Sequence, residues 1–461
     1  TAVILAAGEG TRMKSDTPKA LHKVCGLPIL THIIKATRRA GAEKIIVVVG
    51  KDAEKIKQVY AKDDIEFIVQ KERKGTGHAL MQAESAAQGS SHLVVLYGDM
   101  PMVTAESIEG MVRFHREQRA TATVMTARVS DPTGYGRIIR QGDKVLDIRE
   151  HKDATWEERT INEINAGFYC FDSSLVFSAL SNVENKNRQG EYYLTDVVKV
   201  LNLEDEKVVA FELEDPDELH GINDRRQLAQ VQNLMQQKII EYWMEEGVTF
   251  INPDTCMVDS TVKIGKDTII YPGVMLEGNT LIGQGCSIIG PCRIKDTVIG
   301  DFCEIIMSQI DESILDEGIK VGPYANLRPG CKLASRVKVG DFVELKNTEV
   351  DEGTKIPHLS YVGDGVLGKD INIGAGVIFV NYDGYKKHQT VVEDNAFIGC
   401  NSNLIAPVIV KAGSYIAAGS TITKEVPEDS LAIARAKQEN KVGWAAKRRN
   451  KTEGGTKVNG K

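Results

Sequence analysis

Aliphatic residues recur every six positions through the back half of the chain: Val258, Ile264, Ile270, Leu276, Ile282, Ile288 and Ile294 hold one unbroken register. If about a quarter of positions are Ile, Leu or Val, seven such hits have a chance of roughly one in 10,000. The period returns at Val321, Leu327, Leu333, Val339 and Leu345, then at Val392, Ile398, Leu404, Val410, Ile416 and Ile422. Gly often follows the aliphatic residue, as at Gly265, Gly283, Gly340 and Gly399. Six residues is too long for the alternation of one strand and fits no helical period. It fits a parallel β-helix, with a short strand, a tight turn and one inward aliphatic per side. Three sides of six make a coil of about 18 residues, so residues that far apart stack about 4.8 Å above one another. Unrelated short strands would not keep register this long.

This hexapeptide form resembles the left-handed β-helix of acyltransferases. That hand departs from the usual right-handed crossover, so it follows from the resemblance and not from the period. The resemblance also implies a homotrimer associated through the flat faces of the coils.

The front of the chain has a different grammar. The apolar run Val3 to Ala6 meets a Gly-rich turn, and further apolar runs lie at Ile45–Val49, Ile65–Val69, Leu93–Tyr97 and Val208–Phe211. Helical patterns between several of them give the α/β alternation of a Rossmann-like, largely parallel sheet. Leu228, Val231, Met235, Ile239 and Tyr242 then make one apolar helical stripe, with Asp224 and Gln227 able to form a capping box and Gly247 able to end the helix. The expected domains are therefore 1–223, a nucleotide-handling α/β domain; 224–246, a linking helix; 247–435, the β-helix; and 436–461, a polar, mobile tail.

Composition narrows the function classes. With 57 Lys plus Arg against 64 Asp plus Glu, the net charge is −7, which argues against a dedicated nucleic-acid binder. No run approaches the ~20 apolar residues of a membrane span. The apolar stretch Ala2 to Ala7 lacks the basic lead-in of a signal peptide. Eight cysteines without a CxxC pair read as reduced thiols in a cytoplasmic protein, with no zinc site.

Two elements in the front domain carry chemistry. The stretch LAAGEGTRMKSDTPKAL sets Gly8, Gly10, Thr11, Arg12 and Lys19 directly after a strand. Glycines let backbone N–H groups approach a phosphate, and two cations beside the turn suit a triphosphate. The segment is neither a Walker loop nor a dinucleotide fingerprint, because GK[ST] is absent and Met13 stands where a third Gly would be. The second element is LVVLYGD, ending in Tyr97, Gly98 and Asp99. A carboxylate just past a strand's C-terminal end lies where open α/β sheets bind ligands and suits Mg²⁺. Its plain alternative is a turn Asp before Met100-Pro101.

LAAGEGTRMKSDTPKALHKVCGLPIL is similar to the signature of sugar nucleotidyltransferases. Together with the hexapeptide β-helix, the chain from Ala2 to about Arg435 resembles a bacterial family. Its members pair an N-acetylglucosamine-1-phosphate uridyltransferase with a glucosamine-1-phosphate acetyltransferase. The resemblance implies UTP and acetyl-CoA as substrates, with glucosamine 1-phosphate and N-acetylglucosamine 1-phosphate as the sugars. In the front domain it assigns nucleotide contacts to Leu5, Ala6, Ala7, Gly8 and Lys19, and uracil reading to Gln70, Gly75 and Thr76. Tyr97 and Gly98 are expected to line the nucleotide and sugar site. Sugar contacts fall to Gly136, Glu150 and Asn165, and a Mg²⁺ site to Asp99 and Asn223. Alone, Gly136 reads as a turn, Glu150 as a solvated charge and Asn223 as the neighbour of a helix cap. The implied reaction is in-line attack of a sugar phosphate on the α-phosphate of UTP, with Arg12 and Lys19 stabilising charge and no protein nucleophile.

In the β-helix, Arg328 and Lys346 follow the inward Leu327 and Leu345, 18 residues apart, so they should stand one above the other. Like charges there repel; an anion such as a sugar phosphate relieves the conflict, and Glu344 is a simpler partner. His358, on an adjacent face, suits a base that takes a proton from an amine attacking a thioester. The segment IPHLSYVGD matches the family's catalytic stretch, with Tyr361 and Asn372 as substrate contacts. The rhythm fails between Phe379 and Val392, where NYDGYKKHQ inserts a loop. Insertions in solenoids map to one face, often the binding face. The resemblance assigns acetyl-CoA contacts to Asn381 and Tyr382 in this loop and to Ala375, Cys400, Ala418 and Arg435. Cys400 departs from a frequent Ser, which puts that one contact in doubt.

Two other readings stay open. One is a single-activity sugar-1-phosphate nucleotidyltransferase whose β-helix only binds effectors or subunits. The other is a non-catalytic regulatory subunit. Arg328, Lys346 and His358 argue against the first, and Asp99, Lys19 and His358 against the second.

Overall fold

The computed structural model describes residues 1–454. They divide into two compact units, 1–243 with 258–261 and 244–257 with 262 onward. No helix among the described residues is long and apolar enough to cross a membrane.

The first unit is built on a nine-stranded sheet. Glu66–Val69, Ile45–Val49, Ala2–Ala6 and His92–Tyr97 lie side by side and parallel. Glu163–Asp172 comes next, antiparallel to both His92–Tyr97 and Ala122–Arg128. The sheet is thus parallel on one half and mixed beyond it, less uniform than the apolar runs implied. The inner runs Ala2–Ala6, Ile45–Val49 and Leu93–Tyr97 are apolar at every position because both faces are covered, whereas the edge strand Glu66–Val69 begins with an exposed charge. Ile4, Val47 and Leu96 enter one core with the helix Ile29–Arg39. Val3, Leu5, Ile46, Val48 and Val95 enter the other.

The expected linking helix spans Arg225–Glu245. The Asp224 side chain accepts from the backbone N–H of Arg226 and Gln227 at 2.9 and 3.0 Å, a cap of the kind that contributes about 1 kcal/mol. Gln227 reaches back to the N–H of Asn223 at 2.7 Å, one residue earlier than a capping box requires. Val231 is buried and Leu228, Met235 and Ile239 pack on the core, but Tyr242 at the end of the stripe is 53% exposed.

The second unit is a three-sided left-handed parallel β-helix, with faces of 11, 10 and 9 short strands. Inward aliphatics stack in columns: Ile270 on Ile288, Leu327 on Leu345, Leu404 on Ile422. The rhythm is lost after Ile294 because the turns shorten, not because the coil ends. Ile294 stacks under Ile310, 16 residues on, and Ile288 under Ile305, 17 on. The NYDGYKKHQ loop lengthens one coil instead, so that Leu367 stacks under Val392. Within the segment expected to be mobile, Trp444–Gly454 forms an α-helix; residues 455–461 lie outside the described residues. All eight cysteines are free.

Candidate active sites

In the first unit the carboxyl ends of adjacent parallel strands open onto a cavity of about 330 Å³. Its wall includes Leu5, Ala6, Ala7, Gly8, Lys19, Gln70, Gly75, Thr76, Tyr97, Gly98 and Asp99. The backbone dictates this convergence. Gly98 donates its N–H to Leu5 O at 2.8 Å, and a Cβ on Gly98 would stand 2.7 Å from that of Ala6, so only glycine allows the two strand ends to meet. Gly10, at φ +61°, similarly admits the Lys19 side chain, whose Cβ would lie 2.8 Å from any Cβ there.

Lys19 is the hub of the cavity floor. Its ammonium donates to Asp99 Oδ2 at 2.6 Å and to Asn223 Oδ1 at 3.1 Å. Asn223 reaches this point because Ile222 N–H donates to Asp99 O at 2.9 Å. Asn223 is therefore both beside the helix cap and part of the site. Gln70 is buried and donates to Gly75 O at 3.2 Å and to His78 Nδ1 at 2.9 Å; burial lowers the pKa of His78, favouring the neutral ring that accepts. Arg12 does not join the wall: it is exposed on the turn Thr11–Met13. Arg73, not foreseen from sequence, does, and it pairs with Glu9 of the Gly-rich loop at 2.8 Å.

A second cavity of about 360 Å³ adjoins the first, sharing Thr76, Tyr97 and Glu191, and takes in Gly136, Glu150 and Asn165. Asn165 donates to Tyr169 Oη at 2.7 Å and accepts from Gly167 N–H at 3.0 Å, where the sheet register shifts. Gly167, at φ +79°, leaves room for the Tyr97 ring, 2.6 Å from where its Cβ would be. Burial raises the pKa of both Tyr97 and Glu150; Glu150 accepts from Thr195 Oγ1 at 3.2 Å. A carboxyl and a phenol held in this way are hydrogen-bonding groups suited to sugar hydroxyls. Tyr193 also lines this cavity and was not foreseen from sequence.

The β-helix groups fall on two corners of the prism: Arg328 and Lys346 stand at the ends of strands of the ten-stranded face, and His358 ends a strand of the eleven-stranded face. Leu327 stacks on Leu345, which brings Arg328 and Lys346 to adjacent coils. Arg328 takes the simple partner, donating to Glu344 Oε1 at 3.0 Å. Lys346 stays crowded by cations: Lys387 from the inserted loop, then partial burial and Arg328 lower its pKa, against Asp364. A phosphate would relieve that crowding. Lys387 and Asp364 were not among the expected residues. The loop is pinned where it leaves the coil, since Asn381 donates to Asp364 Oδ2 at 2.6 Å and to Tyr361 Oη at 3.4 Å. The Tyr382 hydroxyl is spent within the loop, on Gly384 O at 2.6 Å.

His358 ends the strand Lys355–His358, and its Nδ1 lies 2.5 Å from Asp341 Oδ1. Lys355 pairs with Asn372, so the register continues from His358 to Ala375. Ile373, Ile398 and Ile416 then stack, carrying the column on to Cys400 and Ala418. Small residues thus climb the edge above the imidazole. Cβ atoms on Gly374 and Gly399 would strike the next coil's backbone at 2.6 and 2.5 Å. Arg435 closes the column, donating to Ala418 O at 2.9 Å.

A nucleotide-sized cavity at the strand ends of an α/β sheet, joined in one chain to a hexapeptide β-helix, defines a two-domain transferase. Residues 2–159 match the MobA-like NTP transferase domain, and 389–424 match the bacterial transferase hexapeptide repeats. The chain is 47% identical over 448 residues to the bifunctional protein GlmU of Alkaliphilus metalliredigens, covering 97% of this chain and 98% of that one. It is 49% identical to GlmU of Listeria monocytogenes, covering 96% and 97%, and 46% identical to that of Halalkalibacterium halodurans, covering 97% and 99%. The chain belongs to the GlmU family. It is a bifunctional enzyme that acetylates glucosamine 1-phosphate and transfers UMP from UTP to N-acetylglucosamine 1-phosphate, yielding a sugar nucleotide for cell-wall synthesis.

Proposed function

We propose that UTP occupies the first cavity with its uracil toward Gln70 and Gly75, and that the sugar 1-phosphate occupies the second, against Gly136, Glu150 and Asn165. The observation that carries this reading is the convergence of Asp99 Oδ2 and Asn223 Oδ1 on one ammonium. One carboxylate and one amide oxygen fit Mg²⁺, which takes few protein ligands and keeps waters and phosphate oxygens. When bound there, the ion would offset charge on the transferring phosphoryl group. The chain's own part is positional. Lys19 brings a second positive charge to the same point, the open Gly8 leaves backbone N–H groups to the phosphates, and Arg73 flanks them. Arg12 would take part only if its turn folds inward. No protein nucleophile is needed, because the attacking oxygen belongs to the sugar phosphate.

At the β-helix edge the donor is acetyl-CoA, its thioester arm laid along the column from Ala375 through Cys400 to Ala418 and Arg435. Glucosamine 1-phosphate sets its phosphate among Arg328, Lys346 and Lys387, its sugar by Tyr361 and Asn372, and its amine toward His358. Asn381 and Tyr382 face the same substrates from the inserted loop. This edge is convex and its His358 side chain is 56% exposed, so a neighbouring copy is needed to wall it; we infer a homotrimer through the coils. Free thiols and nucleotide substrates fit work in the cytoplasm.

The test is a coupled assay with glucosamine 1-phosphate, acetyl-CoA, UTP and Mg²⁺, leaving out each in turn. Without acetyl-CoA, added N-acetylglucosamine 1-phosphate should restore pyrophosphate release; without Mg²⁺, acetylation should continue alone. Acetylation that stops with Mg²⁺ removal would overturn the assignment of the metal to the first site.

A further inference from the structure

The groups that touch the substrates do not account for Asp341. It lies on the strand Lys338–Asp341, one coil below His358 and directly paired with it in the ladder. Its Oδ1 is 2.5 Å from His358 Nδ1, a short contact of the charge-assisted kind. A carboxylate cannot donate, so Nδ1 must carry the proton, and Nε2 is left as the ring's basic nitrogen on a side chain that is more than half exposed.

We propose that Asp341 is the positioning residue of the acetyl-transfer site: it fixes the tautomer and aim of His358 and stabilises the imidazolium formed during the reaction. The proposal rests on His358 being the base. The amine nitrogen of glucosamine 1-phosphate forms a bond to the thioester carbonyl carbon, and its proton passes to His358 Nε2. The C–S bond breaks, the thiolate leaves with the electron pair, and Nε2 returns the proton to give free thiol. Amide and thiol account for every atom of amine and thioester.

The surroundings favour a charged carboxylate at this position. The hydrogen bond with His358, then the charges of His358 and Lys338, hold the Asp341 carboxyl below its ordinary range. The strand below presents Lys320 in line with Lys338, and the strand above presents the neutral Asn372. His358 itself sits on a strand with Lys355. The aspartate therefore faces the ring as a carboxylate, and an opposite charge beside an imidazole favours its protonated form.

The test is acetyl transfer by Asp341→Asn, Asp341→Ala and His358→Ala in the full-length chain, measured from pH 5 to 9. Asp341→Asn should lower kcat about 10-fold or more and move the acid limb of the kcat profile down by about one pH unit, with KM for either substrate within about threefold. Asp341→Ala should lower kcat further. If His358→Ala is inactive while both Asp341 variants keep the parent's acid limb and kcat, the positioning role is wrong and the base stands. If His358→Ala acetylates near the parent rate, the base is wrong and the role falls with it. Thermal melts check folding, and a melt change without a shifted limb would mean a purely structural role.

Discussion

The two candidate sites of this chain are built on surfaces of opposite curvature. The cavity proposed for uridylyl transfer is concave, sunk at the carboxyl ends of parallel strands, and its wall comes from one unit. The groups proposed for acetyl transfer are spread over convex corners of the prism, where each coil contributes one or two side chains. A concave site encloses charge, so Lys19 can hold Asp99 and Asn223 together without outside help. A convex edge leaves its groups in water, where charge effects are weak. It gains a low dielectric only when a second surface closes over it. One activity should therefore be separable as a single chain and the other should depend on assembly.

Cutting the chain after residue 246 is the largest test. The fragment should run as a monomer by light scattering, transfer UMP at close to the parent rate and show no acetylation. A trimeric fragment would break the contrast, as would a folded one that has lost uridylyl transfer. Next is Asp99→Ala, expected to cost about 100- to 1,000-fold in pyrophosphate release while acetylation is unchanged. Equal loss of both rates would mean the sites are not independent. Arg73→Ala should raise KM for UTP about 10-fold with little change in kcat, as expected for one charge-assisted contact. An unchanged KM would remove Arg73 from the phosphate-binding set.

The smallest effect concerns acid stability. His115 is buried in the first unit, and burial pushes its pKa down to about 4. The unfolded imidazole takes up a proton near its ordinary value of 6.5 and the folded one does not. Stability contributed by the neutral ring is thus present above pH 6.5 and lost as pH falls toward 4, by up to about 3 kcal/mol. Melting followed between pH 7 and 4 should show the first unit weakening, and His115→Leu should flatten that slope. A slope unchanged by the substitution would exonerate His115.

Much of this was legible in the sequence, and the failures have physical causes. The six-residue period reveals the prism because one inward aliphatic per side is a local requirement repeated many times. It fades between Ile294 and Val321 because 16- and 17-residue coils change the spacing while keeping the stacking. The same shortening hid Asp341. Counting 18 back from His358 reaches Gly340, whereas the coil there is 17 long and sets Asp341 beneath the imidazole. In the front unit, Gly8, Lys19 and Asp99 follow strands that any apolar run betrays. Arg73 and Tyr193 lie in loops whose paths are set by long-range packing, such as Tyr192 N–H on Lys74 O at 2.7 Å. The antiparallel entry of Glu163–Asp172 was likewise invisible, since strand order is not written in periodicity.

Turn length in the prism is free to drift. Adding or removing a corner residue changes the sequence spacing between coils and yet leaves paired strands in step, inward Val339 under Ile356 and outer Asp341 under His358 alike. The partner of the imidazole is thus insulated from indels at the corners, and acyl-transfer chemistry can be retuned by point substitutions on an outer face while the scaffold stays fixed.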